Sequence, residues 1–401
     1  MTAFFKPESI HPLNGVDPNL PVDDLGVLGD ITAKAEIVAL GEPTHGQKEI
    51  NQLRDRMSRY LIEHHGFRVI AMEDSAIKCR LVNDSIVHGK GTADSALRQQ
   101  NFWTWRTREV LAMIEWLREW NLAHPDDIVR FIGIDFQDIS TPVSELIRVL
   151  SQQELPTTGP WQSILVDIGA IPIWGQSNFE EQEVECYLST LSEIREAIIS
   201  SKSISPDDLE IALDCVLSVN QSLHLWKEIA ASPDEVTPAR WNRRDEAMAA
   251  RAIAATDDGH RVILWAQNGH IQSEPLPGLP RGARTMGQTL RNRFSCQYVV
   301  ISGMFGSGGY RGFDQDAAAL SIADVGEPPI GSLDFELWNS RTESGLLIDL
   351  SSPNAKLFEA QSTRWAGAAI EAPDNMIMNV RPAIGSNAIA FVREASPAEP
   401  I

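Results

Sequence analysis

Cysteine is scarce, with only Cys79, Cys186, Cys215 and Cys296 among 401 residues. They lie far apart and form no C-x-x-C pair, which excludes a zinc-ribbon spacing and a disulfide framework. Long apolar runs are missing as well. No stretch approaches the roughly 20 residues of a membrane-spanning helix. Met1 to Ile31 lack a basic start followed by an apolar core, so no secretory leader is expected and the expected compartment is the cytoplasm. Positive charge is in deficit, 34 basic residues against 55 acidic ones, a net charge of -21. That balance argues against nucleic acid or an anionic membrane as a partner and leaves a small-molecule substrate as the expected one.

Several catalytic signatures are also absent. There is no G-x-S-x-G elbow, no G-x-x-x-x-G-K-[ST] loop and no H-E-x-x-H helix, so a serine nucleophile, a phosphate cradle and a zinc protease site lack support. The glycine cluster Gly303 to Gly312 lacks G-x-G-x-x-G spacing and reads as a flexible loop near the substrate.

What is present belongs to an ordinary globular protein: 43% hydrophobic and 22% charged residues. The stretch from Ala35 to Ile50 organises the rest. Ile37 to Leu40 has the length of a strand covered on both faces, Gly41, Pro43 and Gly46 punctuate a turn, and a helical period starts at Glu49. This places Glu42 and His45 in a turn at the carboxyl end of a strand, where open α/β sheets bind ligands. At about 100° per residue from Ile50, Arg54 falls about 40° round the helix, inside the apolar stripe of Ile50, Met57 and Leu61. A guanidinium there needs a carboxylate, and Glu42 and Glu73 are the nearest candidates.

Further strands are expected at Phe67 to Glu73, Ile128 to Asp135, Arg261 to Asn268 and Gln297 to Ser302, with late runs at Leu346 to Leu350 and Ala388 to Val392. A helix is expected at Arg108 to Asn121. Residues 142–257 have a helical period throughout, with helix starts at Ser177-Asn178 and Ser205-Pro206. The expected fold is α/β: a mostly parallel central sheet flanked by helices, with a large helical insertion forming a cap over the carboxyl ends of the strands. The expected organisation is an N-terminal arm (1–30), a first part of the α/β core (31–141), the insertion (142–257), a second part of the core (258–395) and a loose tail (396–401).

Four strand ends then converge: Gly41 to His45, Glu73-Asp74, Asp135 to Asp138 and Gln267 to His270. A lone turn histidine is more often bonded to the backbone than catalytic, but an imidazole grouped with acids and an arginine can take a proton from water attacking a carbonyl. His45 is the expected general base, Glu42 or Glu73 orients it, and Arg54 keeps the acids ionised or meets the oxyanion. His270 is a second candidate, with Asn268 as a possible oxyanion donor. Trp103 and Trp105, ahead of the helix at Arg108, are the tryptophans expected to line a pocket; Trp116 and Trp120 read as packing.

The blocks Gly41-Glu-Pro-Thr-His-Gly-Gln-Lys-Glu49, Gly66 to Glu73, Glu115 to Arg118 with Asn121, Gly133-Ile-Asp135, Arg244 to Met248, Val262 to His270 and Met286-Gly287 resemble, in order and spacing, the erythromycin esterase family. The resemblance runs over about residues 35–310. It implies hydrolysis of a macrolide lactone by histidine-activated water, with no covalent intermediate; no cofactor or metal is expected. By position it implies His45 as base, Glu42 and Glu73 as essential acids and Arg54 as the arginine. The family's Trp-Ala-His-Asn-x-His block has Gln267 at its first histidine here, and glutamine carries no proton at neutral pH. Gln267, Asn268 and Asp135 are the expected substrate contacts beside Trp103 and Trp105. The alternatives are a biosynthetic enzyme using the same base for cyclisation, elimination or acyl transfer, a metal-dependent hydrolase built on His45, His270 and the acids, which lacks tight ligand spacing, and a binding or carrier protein without catalysis.

Overall fold

The computed structural model describes residues 4–152, 160–171, 181–232, 235–274, 279–340 and 343–401. Its strands in chain order are β1 (Ile10–Leu13), β2 (Ile37–Glu42), β3 (Phe67–Ser75), β4 (Arg130–Asp135), β5 (Arg261–Gln267), β6 (Tyr298–Asp314), β7 (Ala319–Asp324), β8 (Gly345–Asp349), β9 (Gln361–Arg364), β10 (Ile377–Val380) and β11 (Ala388–Ala395). Among the described residues, nine strands form one sheet ordered β1-β8-β11-β6-β2-β5-β3-β4, with β7 paired to the far half of β6, and β9 with β10 forms a separate ribbon. From β11 to β4 every neighbouring pair is parallel. The edge pairs β1·β8 and β8·β11 are antiparallel.

The parallel strands are apolar because both faces are covered. Ile37, Val38, Ala39 and Leu40 are all fully buried. Val38 and Leu40 join a core with the helix Lys48–His65, while Ile37 and Ala39 face a second core built with the helices Pro238–Ala254 and Met286–Phe294. Burying a side chain the size of Val38 or Leu40 contributes about 1.5–3 kcal/mol, so β2 is held in the sheet centre by burial more than by propensity.

The described helices between residues 140 and 231 are Ser140–Gln152, Pro160–Gly169, Glu181–Ser200 and Pro206–Ala231. They enclose an apolar cluster of their own, including Leu146, Leu191, Ile194, Val219 and Leu223. Ser205 caps the last of them, accepting a bond from the Asp208 amide, as its sequence signature requires. The expected start at Ser177-Asn178 lies outside the described residues.

Three expectations are corrected. The segment before residue 30 contributes β1 to the sheet edge, where Ile10 to Leu13 pair with Ile348 to Gly345, instead of remaining an arm. The glycine cluster 303–312 is no loop; it continues β6. A Cβ at Gly303 would lie 2.5 Å from the Gly41 carbonyl oxygen, so glycine here permits backbone to pack on backbone behind the Glu42 turn. The tail 396–401 is not loose. Lys48 N donates to Ser396 O at 2.9 Å, Ala398 N to Gly46 O at 2.8 Å and Arg108 N to Glu399 O at 2.7 Å. Ala398 is fully buried. Short-range composition marked this stretch as polar and proline-rich, and only the long-range pairing with residues 46–48 and 108 orders it.

Candidate active site

β2 ends at Glu42, and the chain turns through Pro43 to Gln47 before the helix Lys48–His65 begins. Gly46 takes φ +73, and a Cβ there would lie 2.3 Å from the Arg311 carbonyl oxygen, so the turn is pressed against β6. This geometry folds His45 back over its own strand end. His45 Nδ1 lies 2.7 Å from Glu42 Oε1, while Glu42 Oε2 accepts a 2.8 Å bond from Arg54 Nη2. Glu42 and Arg54 are both 1% exposed. Arg54, the cation expected on the wrong face of its helix, also donates to Asn51 and stacks 4.4 Å above the Trp265 ring. Among the described residues its Nε and Nη1 have no hydrogen-bond partner, and burial draws its pKa down against the pull of Glu42 and Glu73.

A second cluster adjoins the first. Glu73, on β3, receives the Gln267 amide at 2.9 Å on Oε2 and Arg244 Nη2 at 2.8 Å on Oε1. The same Nη2 reaches Asp135 Oδ2 at 2.8 Å, and Arg244 Nη1 lies 2.8 Å from His270 Nε2. His270 Nδ1 faces Asp245 Oδ1 at 2.9 Å, and Asp245 Oδ2 accepts the Met286 amide at 2.7 Å. Arg244 has no lone pair to offer, so the neutral ring donates from Nδ1 to Asp245 and accepts at Nε2. A proton on Nε2 has Glu73 Oε1 at 3.5 Å as its acceptor.

The electrostatics follow from these contacts. Burial alone would raise the Glu73 carboxyl, but His270, Arg244 and His45, with the Gln267 amide, hold it at about 2. His45 is therefore in the field of Glu73 although it touches Glu42. Burial opposes the His270 imidazolium, but Asp245 and Glu73 prevail over burial and Arg244, and its pKa lies above the ordinary value. Glu42, Glu73, Asp135 and Asp245 set against Arg54 and Arg244 leave two negative charges beside two imidazoles. Such a site favours a developing imidazolium. The network is mostly sealed; His45 keeps 13% side-chain exposure and Arg244 20%.

The expected residues thus separate by position. His45, Glu42, Glu73, Arg54 and His270 come together. Asp135 is fully buried and bonded to Arg244 and Gln137, behind the exposed groups. Trp105 is 1% exposed, donates from Nε1 to Glu73 O at 2.8 Å and stands edge-on to His45 at 5.8 Å, so it forms the floor under the turn and not a pocket wall. Asn268 is corrected as an oxyanion donor: Nδ2 gives a 2.8 Å bond to Gly303 O and Oδ1 accepts Gly303 N at 3.0 Å, so its amide staples β6. Gln267 Nε2 donates to Ala366 O at 2.8 Å. Trp103 lies in a surface groove beside the turn.

Arg244 and Asp245 were not among the expected site residues. Their signal was available: Asp245, Met248, Ala249 and Ala252 recur at helical spacing and are all buried. That places a charge in an apolar stripe, the same anomaly that exposes Arg54. Trp241 stacks on His270 at 5.5 Å one helical turn earlier. Among the described residues no group of His, Cys, Asp and Glu is arranged to hold a metal ion, and no helix is long and apolar enough to cross a membrane.

Comparison with known proteins adds the family. Erythromycin esterase type II of Escherichia coli is 37% identical over 123 residues, an overlap that takes in 31% of this chain and 28% of that protein. Erythromycin esterase type I of Escherichia coli is 23% identical over 303 residues, 71% of this chain and 73% of that protein. The solved structure of a mutant of the erythromycin esterase EreC in its open conformation shares the fold, with a TM-score of 0.72 at 18% identity over 96% of this chain and 97% of that one. The sequence profile described as Erythromycin esterase matches residues 62–394, and the chain belongs to the erythromycin esterase family.

Proposed function

We propose that the protein is a hydrolase that opens an ester or lactone of a macrolide-like natural product with water activated by His45. The observation that carries this is the pair of buried Glu42 and half-buried His45, with Arg54 behind it. Glu42 accepts a hydrogen bond from Nδ1–H and so fixes the tautomer, which leaves Nε2 as the basic nitrogen for water. As the water oxygen attacks the carbonyl carbon, its proton passes to Nε2 and the carbonyl electron pair moves onto oxygen. The acyl C–O bond then breaks, the departing alkoxide takes the proton from His45, and the products are an alcohol and a carboxylic acid that ionises.

Glu42 stabilises the imidazolium formed in the first step, and the surplus negative charge of the second cluster acts in the same direction. Arg54 is the buried counter-charge of Glu42. Arg244, the more exposed guanidinium, is the group assigned to the oxyanion. His270 holds Arg244 in place from Nε2. Gln267 serves as a tie between β5 and the segment at Ala366, so proton handling rests on His45. The helices of residues 142–257 act as a cap over the carboxyl ends of β3 and β4 and shape the substrate space. The divided α/β core on either side of them, residues 31–141 and 258–395, is one folding unit.

Turnover of a macrolide lactone in oxygen-18 water tests the reading. One labelled oxygen in the product carboxylate, lost together with turnover in His45→Ala, supports it. Product without label would overturn hydrolysis in favour of cyclisation, elimination or acyl transfer by the same base.

A further inference from the structure

A groove of about 340 Å³ opens beside the His45 turn and is lined by Arg98, Arg106 and Arg311 together with Trp103, Leu320 and Pro400. Three guanidiniums on one small surface are unexpected in a chain of net charge -21. They differ in their commitments. Arg98 is held in a fork by Asp94, through Nε at 2.8 Å and Nη2 at 2.9 Å. Arg311 donates from Nε to Ala398 O at 3.2 Å. Among the described residues the Arg106 side chain forms no hydrogen bond or ion pair, although the residue is half-buried. The nearby carboxylate of Glu399 is engaged by Lys48 at 2.7 Å and lies 3.7 Å from Arg108. Among the described residues, two half-buried guanidiniums thus have no carboxylate partner, and the third is the exposed one.

The groove is tied to the proposed catalytic turn by the backbone. Arg311 N donates to Gly46 O at 3.0 Å, and Gly46 O also accepts Ala398 N. On the other wall, Trp103 and Trp105 flank one residue, the first facing the groove and the second carrying the His45 floor. We propose that this groove binds an anionic group, a carboxylate or phosphate, carried on an apolar body. Arg106 and Arg311 take the anion, since guanidinium forks match both oxyanions. Trp103 and Leu320 take the carbon body.

Titration calorimetry of the full chain with phenyl phosphate, and separately with inorganic phosphate, tests this. Phenyl phosphate binds more tightly than inorganic phosphate, and its affinity falls as sodium chloride is raised. Arg106→Gln weakens it about tenfold, the loss expected for one charged hydrogen bond. Arg311→Gln acts in the same direction, while Arg148→Gln, a distant surface arginine paired with Glu145, leaves binding unchanged. Equal affinity in wild type and Arg106→Gln, or loss of binding in His45→Ala alone, would overturn the proposal.

The titration contains no ester, so its failure is separable from failure of the hydrolytic reading. Phenyl phosphate that inhibits lactone turnover competitively in wild type, and less so in Arg106→Gln, assigns the groove to an acidic substituent of the substrate. Binding that leaves turnover unchanged assigns it to a separate anionic ligand.

Discussion

Replacing Glu42 by Gln removes the charge and keeps the shape, and the structure gives the size of both consequences. Glu42 Oε1 stands 2.7 Å from His45 Nδ1 in a pocket where the carboxylate is 1% exposed. With charge centres roughly 4 Å apart and an effective dielectric of about 20, the carboxylate stabilises an imidazolium by about 4 kcal/mol. Loss of that term from the transition state lowers kcat by about 10³. Stability also falls, because Arg54 loses its buried counter-charge and keeps neutral acceptors in its place, Asn51 and the new amide oxygen. Breaking a buried pair costs about 3–5 kcal/mol, and because the amide oxygen still accepts from Arg54 the lower end is expected. The double variant Glu42→Gln/Arg54→Met restores much of the stability and none of the turnover. Steady-state hydrolysis followed by pH-stat, beside urea unfolding of the same preparations, separates the two effects. A Glu42→Gln enzyme that folds and keeps kcat within tenfold of wild type would refute the role given to this carboxylate.

Other outcomes follow from the same contacts. Glu73 titrates at about 2 in the folded protein against an ordinary value of 4.5, so its contribution is complete above pH 4.5 and is lost as pH falls through about 2. Glu73→Gln therefore flattens the acid limb of the stability curve in that window, and an unchanged limb in urea titrations would contradict it. Asp245→Asn removes the foremost group raising the His270 pKa against burial, so the imidazole titrates lower, which NMR of the ring Cε1–H signal reads directly. Deleting residues 396–401 removes the acceptors of Lys48 N and Arg108 N, so those two amides exchange faster while amides in β5 keep their protection. Uniform exchange in both regions would show that the tail does not hold the turn.

Local sequence determined a good deal. Ile37 to Leu40 has the length of a strand covered on both faces, and the punctuation of Gly41, Pro43 and Gly46 set a turn after it. Arg54 in an apolar stripe required a buried acid, and Glu42 is its partner. The same rule applied to Asp245 beside Met248 and Ala252 would have found the second cluster. These are short-range facts: periodicity fixes which face a side chain occupies, and a charge on a covered face must have a counter-charge.

What only the tertiary structure decided involves pairing across hundreds of residues. Glycines 303–312 have a composition common to loops and strands, and they became β6 because the Gly41 carbonyl and β11 lie against them. Asn268 was free to donate to a substrate until β6 took both ends of its amide. The tail after residue 395 has no period of its own and is ordered by the backbone of Gly46, Lys48 and Arg108. Sequence sets what each segment needs, a covered face, a counter-charge or a hydrogen-bond partner. Which distant segment supplies it depends on the closure of the sheet, and no local pattern encodes that.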